Sequence, residues 1–147
     1  MKRSDALEPL SHDHHAGLVF VARLRKAQRD AADPAPLAAE VADFWRDHLV
    51  PHFQDEEALV LPVLERGAPE LAAQMLREHR EIRALVQAVG AEPAGWDGPL
   101  GAVAGALAAH IRFEERQAFP AAERLAGDAL ADLGAQIHAA HTSRPIP

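Results

Sequence analysis

The chain has 147 residues, is 48% hydrophobic and carries a formal net charge of -7. That length suits one domain, residues 1–147, around a single sizeable core, and the acidic balance without a basic stripe excludes a general nucleic-acid binder. The sequence contains neither cysteine nor tyrosine, which excludes disulfides, thiolate metal sites, iron–sulfur clusters and a tyrosyl radical, so any metal must be held by nitrogen and oxygen.

Alanine, leucine, arginine and glutamate dominate, and glycine and proline gather at a few points, which reads as all-α. The N-terminal residues lack the apolar run of a signal peptide, and no stretch of about 20 apolar residues could span a membrane, so a soluble cytoplasmic protein is expected. The first helical segment is expected from about Ser11, a candidate cap after Pro9, to Ala32 before the turn sequence DPAP. Leu10, His14, Leu18, Val21 and Leu24 form its inward stripe. His15 competes with His14 for the inward position because it keeps the +3 spacing to Leu18 that His79 has to Ile82; the stripe favours His14.

The second segment, about Leu37 to Arg66, places Val41, Phe44, Trp45, Leu49, His52, Glu56, Leu59 and Val63 on or near one face. Pro51 and Pro62 should each remove a helical hydrogen bond and bend it, at a cost of about 3 kcal/mol in a regular helix. A stop at Gly67 and a start at Pro69 introduce the third segment, which ends near Gly90 and is striped by Leu71, Met75, His79, Ile82, Val86 and Val89. The loop AEPAGWDGP precedes the fourth, about Leu100 to Ala126, with Val103, Leu107, His110, Phe113 and Glu114 inward. The bundle core thus covers about residues 10–126, and residues 127–147 form a short fifth helix and a tail, SRPIP, that should fray. Long helices joined by short loops fold most simply as an up-down-up-down four-helix bundle.

Two stretches carry the chemistry, HFQDEEALVLP from His52 to Pro62 and HIRFEERQAFP from His110 to Pro120. Each opens on histidine, has Glu-Glu at the fourth and fifth following positions, and reaches proline at the tenth. Four residues advance about 400° in a helix, so His52 with Glu56, and His110 with Glu114, share a face one turn apart. A lone histidine precedes each copy, His14 and His79, so a duplicated helical hairpin would bring six side chains to one level of the core. Burying them without a partner would cost several kcal/mol or more, which cations relieve by taking the imidazole lone pairs and carboxylate charge. Two bridging carboxylates suit a dinuclear centre; they and four imidazoles offer about eight donor atoms, against about twelve for two octahedral ions, leaving room for small ligands.

These residues resemble the hemerythrin-like proteins, or HHE cation-binding domains, whose pattern is a histidine, His-x3-Glu, a histidine and His-x3-Glu on four bundle helices. The resemblance covers about Leu10 to Leu125. It implies an oxo- or hydroxo-bridged centre of two iron ions, with His14, His52, His79 and His110 as terminal ligands and Glu56 and Glu114 as bridges. Met75 stands where oxygen-carrying members have a fifth histidine, which implies a more open centre. His48, one turn before His52, is the alternative fifth ligand, with a supporting or surface role favoured. Glu57 and Glu115, about 100° from their neighbours, are assigned to surface or interhelix ion pairs, as is Asp55, and His12, His138 and His141 to the surface.

The function expected is a binding or sensing protein for dioxygen, nitric oxide, peroxide, or iron and redox state. The alternatives are an enzyme acting on peroxide or a small oxidisable molecule, and a structural bundle that binds zinc or nothing. A monomer or homodimer is expected, and any output would run through a protein partner or self-association.

Overall fold

A computed structural model describes residues 4–91 and 95–143, and among these residues every regular element is helical. Residues 92–94 of the AEPAGWDGP loop and residues 144–147 of the SRPIP tail, whose fraying was expected, lie outside the described residues.

A 3-10 turn at Asp5–Leu7, capped by the Ser4 hydroxyl accepting from the Ala6 N–H at 3.2 Å, leads into α1 (Glu8–Arg29). The helix starts before the expected Ser11 because Pro9 lies in its first turn, where a missing N–H costs no intrahelical bond. It stops short of Ala32 because Ala31 takes a φ of 52°. The Ala32 N–H then reaches back to the Ala27 carbonyl at 2.9 Å, satisfying a terminal acceptor.

The second helix, α2, runs over residues 34–67, opened by the Asp33 side chain accepting from the Ala35 N–H at 3.1 Å. Its prolines are absorbed in an unexpected way. Trp45–Leu49 and Glu56–Val60 are π turns, in which Val50 and Leu61 donate to the carbonyls five residues back, Trp45 and Glu56. A third, Glu114–Ala118, has Phe119 donating to Glu114. In all three the proline, Pro51, Pro62 or Pro120, comes two residues after the turn. The widened turn takes up the backbone where a proline ring would strike the carbonyl four residues before it, so the insertion of one residue per turn replaces the simple bends expected of Pro51 and Pro62.

Ala68 alone joins α2 to α3 (Pro69–Ala91); α4 covers residues 99–126 and α5 is Leu130–Thr142. Short connections make successive helices antiparallel, with α4 packed on both α1 and α3. The fold is an all-α, up-down-up-down four-helix bundle, with α5 added at one end. Two apolar clusters fill the core. One holds Leu7, Leu10, Leu64, Met75, Phe119 and Ile137, and the other Val21, Leu24, Val41, Ile82, Val103 and Leu107.

The inward stripe of α1 needs one correction. Leu18 is 45% exposed, and the buried position is Gly17, which faces Ile111. A glycine contributes nothing to a hydrophobic pattern, so the neighbouring leucine takes its place in a reading by periodicity. Against α1 and its leading turn, α5 buries Leu133 and Ile137. Gly134 permits the approach, since a Cβ there would lie 2.8 Å from the Ala6 Cα. No helix among the described residues is long and apolar enough to cross a membrane.

Replacing Ala31 by glycine should stabilise the protein by about 0.5–1 kcal/mol by removing the Cβ penalty of the left-handed conformation. Chemical denaturation checks this through an unchanged slope and a higher midpoint.

Candidate metal centre

The polar residues of the core are concentrated in one layer. His14 comes from α1, His52 and Glu56 from α2, His79 from α3, and His110 and Glu114 from α4; each is at most 4% exposed. Helical i, i+4 spacing aims each histidine–glutamate pair of α2 and α4 into the same space, and the antiparallel hairpins bring the lone histidines to that level. His14, rather than His15, takes the inward place, and His15 is exposed.

Every imidazole turns Nε2 toward the centre. Glu56 Oε2 lies 3.1 Å from His52 Nε2 and 3.6 Å from His14 Nε2, while its Oε1 lies 3.0 Å from His79 Nε2. Glu114 mirrors this, with Oε1 at 2.8 Å from His14 Nε2 and Oε2 at 3.2 and 3.6 Å from the Nε2 atoms of His110 and His79. Each carboxylate therefore offers one oxygen to each half of the layer. Two overlapping groups result, His14, His52, Glu56, Glu114 and Glu56, His79, His110, Glu114; the candidate ligand atoms of each lie within 4.8 Å of one another.

The outward Nδ1 atoms are equally ordered. His14 donates to Glu115 at 2.7 Å, His52 to Asp13 at 2.9 Å, His79 to Glu57 at 2.7 Å and His110 to Glu78 at 2.8 Å. An Nδ1–H held by a carboxylate leaves Nε2 as the lone pair available to a cation and orients the ring toward it.

Glu57 and Glu115 thus make interhelix ion pairs, one of the two expected roles, and their partners are the lone histidines. Both stand in π turns that begin at the preceding glutamate. With more residues per turn, the angle between neighbours falls below the 100° of a regular helix, bringing the second glutamate inward. Proline at the end of each motif was the available signal. The acids before His14 and His79, Asp13 and Glu78, serve instead the histidines of the next helix, a pairing visible only in three dimensions. Ser11, expected as a cap, donates its hydroxyl to Glu115 at 2.7 Å, and His141, expected at the surface, reaches Asp13 at 3.0 Å.

Other candidates stay outside the layer. His48 is exposed and stacks on Phe44, their ring centroids 4.9 Å apart. Met75 is fully buried in the apolar cluster with Phe113 and Phe119. Aromatic faces cover the layer instead: Phe53 stacks on His79 at 3.9 Å and Phe119 on His14 at 5.1 Å.

The donor set has an unmet requirement that a pair of cations would fill. Four buried atoms find no hydrogen-bond partner, His52 Nε2 with Glu56 Oε2 in one half and His110 Nε2 with Glu114 Oε2 in the other. Leaving such groups unsatisfied costs about 1–3 kcal/mol each. Burial pushes the imidazoles down, but the carboxylates outweigh it: Glu114 and Glu56 raise His79 to about 10, and Glu114 with Glu78 raises His110 to about 9. His14 and His52 are also raised. Burial drives Glu56 and Glu114 upward, yet the surrounding imidazoles hold both below the usual carboxylate range.

Without metal, the raised imidazoles contribute stability below their ordinary value of 6.5, and this is lost as pH rises through about 9 to 10. Metal-free protein should therefore melt at a lower temperature at pH 10 than at pH 6.5, as thermal denaturation followed by circular dichroism will show. Cations act in the opposite sense, because they require the unprotonated rings. Cation binding should therefore release imidazole protons, which calorimetry in buffers of different ionisation heat will record. Glu56→Ala or Glu114→Ala should abolish metal retention, whereas Glu57→Ala or Glu115→Ala should weaken it by about 10- to 100-fold, as read by metal analysis after dialysis against graded chelator.

The model of one known family, the hemerythrin HHE cation binding domain, matches residues 5–122. Neither a curated protein nor a solved structure is a match to the chain. The matched region contains the whole buried histidine–glutamate layer and most of the bundle that carries it, and the chain belongs to the hemerythrin HHE cation-binding domain family.

Proposed function

We propose that the protein is a non-haem di-iron protein that binds or senses a small ligand, namely dioxygen, nitric oxide or peroxide. In this reading His14, His52, His79 and His110 are the terminal ligands and Glu56 and Glu114 the bridges. The observation that carries it is the set of four unsatisfied buried atoms, divided equally between two overlapping donor groups. Imidazole and carboxylate donors suit iron, and shared carboxylates suit a pair of ions. Iron would supply affinity for small oxygen and nitrogen ligands and the capacity to exchange electrons with them.

The chain's own residues determine access. Two imidazoles and one oxygen from each bridge give each ion four protein donors, so an octahedral ion has two positions left. A cavity of about 20 Å³ adjoins the site, lined mostly from α1 and α2, by His14, Gly17, Leu49, His52 and Phe53 among others, and reaching His110 and Ile111 of α4. It has room for roughly one water-sized molecule. Gly17 follows His14 by three positions, as Ile82 follows His79; Ile82 is buried at 2% exposure, so the corresponding space in the other half is filled. The cavity thus favours a diatomic or similarly small ligand, with most of its lining on the His14 and His52 side, and disfavours an organic substrate. That volume argues against an enzyme that oxidises an organic molecule.

Protein loaded anaerobically with ferrous iron should retain close to two irons per chain and develop oxo-to-iron charge-transfer absorption in air. Loading without that absorption would overturn the di-iron reading. A Cβ at Gly17 would lie 3.0 Å from the Ile111 Cδ1, so Gly17→Ala should fill part of the cavity with little change in fold. If the overpacking of about 1–3 kcal/mol falls on the bound ligand, azide binding to the iron-loaded protein should weaken by about 5- to 150-fold at unchanged iron content, measured by absorption titration.

A further inference from the structure

The carboxylates behind the histidines are themselves supported, and not equally. Ser11 donates to Glu115 at 2.7 Å, and the Gln74 amide donates to Glu78 at 2.9 Å. Asp13 is held differently. One of its oxygens accepts from His52 Nδ1 at 2.9 Å, and the other accepts from His141 Nε2 at 3.0 Å. His141 lies near the end of α5, outside the four helices that supply the histidine–glutamate layer, and its side chain is 28% exposed. The rest of α5 is attached elsewhere, through Leu133, Ile137, the close approach of Gly134 to Ala6, and a hydrogen bond from His138 Nε2 to the Asp5 carbonyl at 2.9 Å.

We infer that His141 is a positioning residue which acts through Asp13 on His52 and couples the docking of α5 to one of the two metal positions. The inference rests on the metal reading above. Asp13, bridging two imidazoles, is fixed in the orientation that keeps the His52 Nδ1–H outward and its Nε2 inward. An outer partner of a metal-bound histidine commonly changes metal affinity by about 10- to 100-fold. Here the support comes from an added helix, and coupling between two sites is reciprocal: an ion at His14 and His52 stabilises the docked α5 to the same degree that docking stabilises the ion. The corresponding support in the other half, Gln74 on Glu78, comes from α3 itself and makes no such link. The two metal positions, alike in their protein donors, therefore differ in their connection to the rest of the chain.

The test is a stepwise titration of metal-free protein with Co2+, followed by ligand-field absorption, for the wild type and for His141→Leu, His141→Gln and Gln74→Ala. His141→Leu should weaken one of the two binding steps about tenfold and move the bands of that ion alone. His141→Gln, which retains an N–H for Asp13, should restore most of both, and Gln74→Ala should move the bands of the other ion. Cobalt loading should also slow amide exchange in α5 of the wild type and not of His141→Leu. A wild-type chain that takes up no cobalt overturns the metal reading and this inference with it. Two cobalt ions bound equally well, with unchanged bands, by wild type and His141→Leu would leave the metal reading standing and overturn the role of His141.

Discussion

Two carboxylates buried among four imidazoles are the constraint on which this bundle depends. Glu56 and Glu114 are fully enclosed, and a helical core supplies almost nothing to solvate them, because its backbone groups are already engaged in helix hydrogen bonds. The imidazoles must therefore stand on all sides, and the carboxylates must split their oxygens between the two halves. Apolar clusters lie on both sides of the layer, and Phe53 and Phe119 press on two of its rings. Such enclosure strengthens each electrostatic contact and raises the cost of removing any one member. Cations in the proposed state would supply the partners that His52 Nε2, Glu56 Oε2, His110 Nε2 and Glu114 Oε2 lack.

Rigidity comes from holding each imidazole at both ends. Asp13, Glu57, Glu78 and Glu115 fix the outward nitrogens and so determine which nitrogen faces inward. Two of these acids depend on the π turns that accompany Pro62 and Pro120. The proline motifs thus act at the site through backbone geometry: a wider turn accommodates the ring and also brings a second glutamate within reach of a histidine on a neighbouring helix. The energetic defect expected of a proline in a helix becomes part of the support for the centre.

The duplicated pattern produces a layer nearly symmetric in its donors and unsymmetric in its surroundings. Gly17 opposite Ile82 leaves space beside His14 and His52, and His141 adds a connection to α5 on the same side. Both departures from symmetry lie mainly on the side of His14 and His52. For a protein proposed to bind a small ligand, this places most of the adjoining cavity and the link to the terminal helix on the side of His14 and His52.

The six members of the layer were legible in the amino-acid sequence because helical period is a local property. His and Glu four residues apart share a face whatever else the chain does, and the repeated motif identifies that face as inward. The all-α architecture follows equally from composition and breaker positions. Tertiary structure alone decided that Glu57 and Glu115 serve His79 and His14, since π turns change the local angle and the partner helix is distant in sequence. It also decided that Asp13 supports His52 rather than its neighbour His14, that Gly17 replaces Leu18 on the buried stripe, and that His141 returns from the end of the chain to the centre. Periodicity predicts where a side chain points relative to its own helix axis; which atom it meets depends on how helices cross, and no local pattern contains that information.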